Sequence, residues 1–145
     1  MQKITRYIPE IIQDVVNAKT ADEKVQILQQ NDSKGLRMIL HYAVCPKYSK
    51  AFKIMPNYEP DDAPFGMTMS NLSLVGKKLP YLFKEHEMYV ASDKRRLSIA
   101  LSMLTSVHFT EAALLEQIFQ REFNSISADI VKKAFPDLLC ETFLH

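Results

Sequence analysis

Glycine is scarce in this chain, with three in 145 residues. Sandwiches and barrels turn often and tightly, and tight turns draw on glycine for positive φ, so this shortage argues against both. Tryptophan is absent, and cysteine occurs twice, at Cys45 and Cys140. The two are far apart and form neither a CxxC pair nor a zinc spacing. They are expected to be small buried residues kept reduced, with a disulfide as the alternative. No run approaches the roughly 18 apolar residues that a membrane-crossing helix needs. The opening "MQKITRYIPEIIQDVV" lacks the unbroken apolar core of a secretion signal, because Pro9, Glu10 and Asp14 interrupt it. A cytoplasmic protein is expected. Neither sign of charge dominates: 18 Lys and Arg against 17 Asp and Glu leave a net charge of +1. That balance gives no global pull toward nucleic acid or an anionic membrane.

Signatures of catalysis are missing too. There is no glycine-rich phosphate loop, no dinucleotide fingerprint and no nucleophile elbow. His41, His86, His108 and His145 are scattered, and none forms the HExxH spacing that brings two imidazoles to one metal. His41 and Cys45 lie one helical turn apart, but a cysteine nucleophile also wants an orienting third group and an amide hole. Glu59, Asp61 and Asp62 lack the alternating oxygen ligands and central glycine of a calcium loop, so they read as a solvated turn. The sequence therefore nominates no catalytic residue, no metal and no cofactor.

What the chain does have is helical periodicity at both ends. In the first 45 residues Ile4, Ile8, Ile11, Ile12, Val15 and Val16 form one stripe, with Thr5 as a candidate cap before Pro9. A capping box at Thr20 and Glu23 opens a second helix that turns Val25, Ile27 and Leu28 inward. A third, capped by Asp32 or Ser33, buries Leu36, Ile39, Leu40 and Ala43 and stops before Pro46. From residue 72 the pattern resumes. Pro80 marks a kink or a restart in "SNLSLVGKKLPYLFKEHEMYVA". Leu97, Ala100, Leu101 and Leu104 form the stripe of a helix capped by Ser92 or Asp93. Another begins at Thr110 and turns Ala113, Leu114, Ile118 and Phe119 inward, and a last one begins at Ser127 and ends before Pro136. The expectation is an all-α fold, one compact multi-helix domain spanning 1–145.

Between the two helical parts, residues 46–71 carry Pro46, Pro56, Pro60 and Pro64, too close together for a regular element to persist. "AFKIM" is the one piece that reads as a short strand or extended segment. Yet this stretch is too apolar for a disordered linker, so it is expected to be a long ordered loop wrapped over the helices. Its Tyr48, Phe52, Met55, Tyr58 and Phe65 are the candidate partner-binding residues, since aromatics and methionine supply anchors and adaptable contacts. The alternative is that they pin the loop to its own core. A second candidate surface gathers Lys77, Lys78, Lys94, Arg95 and Arg96. Cations in the first turn of a helix oppose its dipole unless solvated or paired with an anion there.

Several segments, taken in order, resemble a family of small uncharacterised proteins of large tailed bacteriophages. The residues that carry the likeness are Glu23-Lys24-Val25-Gln26-Ile27-Leu28, Asn31-Asp32 and Leu36-Arg37-Met38-Ile39-Leu40. They continue with Phe52-Lys53-Ile54-Met55-Pro56, Ala63-Pro64-Phe65, Glu111-Ala112-Ala113-Leu114-Leu115 and the stretch from Ile130 to Leu139. The chain departs from that family at Cys45, where aspartate is usual, and at Phe65, where a second proline is usual. The resemblance implies a phage origin and a shared fold, and carries no activity with it. The combined expectation is a non-enzymatic phage protein in the host cytoplasm that binds a host or phage protein, with no membrane role. A nucleic-acid-binding accessory and a virion or assembly component are the alternatives.

Overall fold

The computed structural model describes residues 7–45, 48–53, 55, 57–64 and 67–138. Among these, seven α-helices follow one another: α1 (Ile8–Asn17), α2 (Ala21–Gln30), α3 (Lys34–Val44), α4 (Leu72–Val75), α5 (Asp93–Thr105), α6 (Phe109–Gln120) and α7 (Ala128–Ala134). A 3₁₀ helix over Gly76–Tyr81 continues α4. No strand forms among the described residues, and the fold is all-helical, as expected.

The helix starts follow local chemistry. Ser33, Asn71, Ser92 and Ser127 each accept the backbone N–H three residues on, the ordinary way to satisfy a free donor at an N-terminus. At α2 the predicted box is half present. Thr20 accepts from Glu23 N at 3.2 Å, but the Glu23 carboxylate reaches past Thr20 to Lys19 N at 3.1 Å. Tyr7 occupies the N-cap of α1 without a side-chain bond, with Pro9 in the first turn, and Thr5 lies outside the described residues. Val16, expected inward, is exposed. The region around Pro80 is one turn of α-helix running into a 3₁₀ helix that holds the proline.

One continuous apolar core joins the elements. α1 packs on α2, α2 on α7, and α3 on α4 and the 3₁₀ helix. α5 packs on α6 and the 3₁₀ helix, and α6 also meets α1 and α3. α3 approaches α4 closely at Gly35, where an added Cβ would sit 2.9 Å from Ser73 Cβ.

Two faces differ from the sequence reading. α5 buries Arg96, Ala100, Met103 and Leu104, while Leu97 is exposed. α6 starts one residue early, at Phe109, with His108 as N-cap, and Ala113 faces solvent. Cys45 is buried, as expected, but is disulfide-bonded rather than reduced, the alternative named for it; the expectation for Cys140 lies outside the described residues.

Candidate functional site

The loop between α3 and α4 is pinned at both ends and at points between. At its start Tyr48, 5% exposed, enters a cluster with Tyr42 and Phe83, their ring centroids 5.0–5.8 Å apart. His41 closes this cluster, with Nε2 2.9 Å from the Tyr48 hydroxyl and Nδ1 3.0 Å from Leu138 O. Burial pushes the Tyr42 hydroxyl up to about 12 and raises that of Tyr48. Ser49 donates its amide (3.1 Å) and hydroxyl (2.8 Å) to the two carboxylate oxygens of Glu85. Burial pushes the Glu85 carboxyl upward, but the two Ser49 donations oppose it and the net position is below the usual carboxylate range.

From there the loop runs along α6, from its C-terminal end back to its start. Ala51 N donates to Phe119 O at 2.8 Å, and the Phe52 ring meets Phe119 edge-on at 5.8 Å. Tyr58 lies beside Glu116, three residues before Phe119; burial first, then the hydrogen bond to Glu116, raise its hydroxyl pKa. Asp61 pairs with His108 in a single parallel bridge, and its carboxylate accepts from Ala63 N and Met69 N. Ser70 N donates to Ser106 O at 2.7 Å. Finally Leu72 N donates to the buried Glu111 carboxylate at 2.8 Å, while the other Glu111 oxygen lies 3.4 Å from His108 N. Burial raises the Glu111 pKa against these donors. The described residues of this apolar, proline-broken segment thus find partners for their amides and rings along α6 and the turn before it.

The partner-binding candidates therefore divide. Tyr48 is corrected from an outward anchor to a core residue. Phe52, Met55 and Tyr58 are half-buried and packed on the core, and Phe65 lies outside the described residues. Among the described loop residues the outward apolar ones are instead Met67 (74% exposed) and Met69 (88%). The basic candidates divide as well. Lys77, Lys78, Lys94 and Arg95 are exposed. Arg96 is buried: its guanidinium lies 4.6 Å from the Tyr89 ring centroid and donates to Val90 O (2.6 Å) and to Asp93. It is corrected from an anion binder to a packed structural cation.

Among the described residues, a third face of α6 is left uncovered. The core takes Leu115 and Ile118, and the loop takes Glu116 and Phe119. Phe109, Thr110, Ala113, Leu114 and Gln117 line a cleft of about 450 Å³, closed on the far side by Pro9, Glu10, Ile12 and Gln13 of α1. Phe109 stands at this cleft 60% exposed. Around the start of α6, Met69 and Leu74 line a neighbouring recess of about 310 Å³ with Tyr7 and Glu111. Sequence reasoning missed this face because it placed Ala113 inside and began the helix after Phe109. An apolar residue directly after a histidine N-cap was the available signal.

Among the described residues no three His, Cys, Asp or Glu side chains gather to hold a metal, and no helix is long and apolar enough to cross a membrane. With Cys45 in a disulfide and His41 engaged on both nitrogens, the pair does not form a thiolate–imidazole couple. Fold and site together define a small all-helical protein in which the described loop residues pack along α6, with an apolar cleft on that helix's other side. The chain belongs to the family of unknown function DUF6433, whose model matches residues 11–125. No curated protein matches it.

Proposed function

We propose that this chain is a non-enzymatic binding protein that docks an amphipathic helix of a protein partner in the α1–α6 cleft. One observation carries the reading: α6 is covered by core and loop on two sides, yet leaves an exposed phenylalanine beside an apolar cleft on the third. Helix-in-groove recognition reads apolar residues at i, i+3/i+4 and i+7. A rim of Gln13, Thr110, Gln117 and Ser125 supplies polar edges, and among the described residues Glu10 is the one charged side chain lining the cleft. A matching helix would carry a Lys or Arg opposite Glu10. The likeness to small proteins of tailed phages supports looking for that partner among host and phage proteins.

The test is a helical-peptide library selected against the whole chain, with affinities of the enriched peptides measured by fluorescence anisotropy. Enrichment of apolar i, i+3/i+4 patterns with a basic residue is expected. Ala113→Arg should weaken binding by about tenfold or more without lowering Tm, since Ala113 is exposed and arginine is a good helix former. Peptides without that pattern, or affinities untouched by Ala113→Arg, would refute the cleft as the site.

A second reading rests on a different surface. Lys77 and Lys78 on the 3₁₀ helix and Lys94 and Arg95 on α5 are exposed on elements that pack together. Used jointly they would neutralise phosphates of a nucleic acid. Log affinity would then fall with log salt at about 0.9 per phosphate neutralised on a duplex. A flat salt response, or no binding, removes this reading.

A further inference from the structure

Arg121 ends α6 with φ 57° and ψ 40°, the only left-handed non-glycine among the described residues. That backbone disfavours a side-chain-bearing residue, whereas glycine would take it freely. The arginine side chain offsets this by reaching the C-terminal end of α3, where its guanidinium donates to Tyr42 O and, at 2.7 Å, to Cys45 O. A cation suits that end of the helix dipole. Carbonyls carry only partial charge, however, so a full positive charge remains. Among the described residues no ion pair engages Arg121. Glu85 acts on it through space, but both Glu85 oxygens are held by Ser49. Arg121 is half-buried, and burial draws its pKa below the usual guanidinium range.

This cation lines a cavity of about 520 Å³ between the end of α3 and the start of α7. Asn124 and Ser127 stand exposed at its edge, with the Ser127 oxygen accepting from Ile130 N and its hydrogen left to donate. Val44 and Phe123 supply apolar wall. A half-desolvated guanidinium, two neutral donors and apolar walls around one space make a complementary set. We propose that this cavity binds a small organic anion, its carboxylate or phosphate head on Arg121, Asn124 and Ser127 and its apolar body against Val44 and Phe123. The volume is within the range of small-molecule sites, and the guanidinium N–H groups not donated to Tyr42 O and Cys45 O suit either head group.

The experiment is an NMR titration of the intact chain with phenylacetate, phenyl phosphate and inorganic phosphate. At least one phenyl probe should shift resonances of Arg121, Asn124 and Val44, and the tighter of the two assigns the head group. Inorganic phosphate, lacking an apolar body, should bind about tenfold more weakly or not at all. Arg121→Lys should cost about tenfold in affinity, since lysine keeps charge but loses the fork. Ala128→Leu adds bulk to the cavity wall while leaving Arg121 itself in place and should abolish binding with Tm unchanged, which keeps the test valid if the Arg121 variant does not fold. The proposal is overturned if neither phenyl probe binds, if inorganic phosphate binds as tightly as both, or if Ala128→Leu leaves affinity unaltered.

Discussion

Glu111 shows most clearly how one residue can carry a junction. Its carboxylate sits where loop, α4 and α6 meet and accepts the Leu72 amide. Glu111→Ala would leave that buried donor unmet, and a loss of about 1–3 kcal/mol in denaturant unfolding is expected. Its pKa is raised, chiefly by burial. The folded chain therefore holds this proton more tightly than the unfolded one. The stability it contributes is complete below the ordinary carboxylate pKa and is lost as pH rises through the higher folded value. Glu111→Gln lacks that term, so its stability relative to wild type should rise from acidic to neutral pH. A difference that falls or stays level contradicts the assignment. Arg96 and Arg95 make a matched pair at the same scale. Arg96→Ala should cost about 1–3 kcal/mol, because it strands the Val90 carbonyl and uncovers Tyr89. Arg95→Ala should stay within about 0.5 kcal/mol. Equal costs would mean the buried arginine is not structural.

The elements have their own test at Gly35. A methyl there would press on Ser73 Cβ, forcing α3 and α4 apart. Gly35→Ala should cost about 1–3 kcal/mol by overpacking, although alanine is the better helix former. A gain in Tm would show that α4 yields easily. Helix existence and several caps were legible in the sequence, because Ser33, Ser92 and Ser127 act on their own neighbours; the His108 cap of α6 and the Asn71 cap of α4 were not. Helix rotation was not. On α5 the stripes through Leu97 and through Arg96 share Ala100 and Leu104, so periodicity barely separates them. What decides is Val90 and Tyr89, which receive the guanidinium, and their position depends on the turns after the 3₁₀ helix. Ala113 failed for the same reason: it sits next to Leu114, and only the placement of α1 determines which of the two is covered. At the candidate site the exposed cations were readable one by one, whereas the cleft, built from α1 and α6 about 100 residues apart, was not.

At the scale of the whole molecule, the described residues between Tyr48 and Leu72 form a strap along α6 and, among the described residues, leave α6 one face to offer. Fixation comes from backbone amides with distant acceptors: Ala51 to Phe119, Ser70 to Ser106 and Leu72 to Glu111. If the strap frayed readily, Phe52 and Tyr58 would be available as anchors and the α1–α6 cleft would lose its distinction as the open apolar site. Native-state amide exchange at Ala51, Ser70 and Leu72 measures this directly. Protection approaching that of the α6 interior at Leu115 and Ile118 is the predicted result. Exchange at the rate of an unstructured peptide at all three would contradict it.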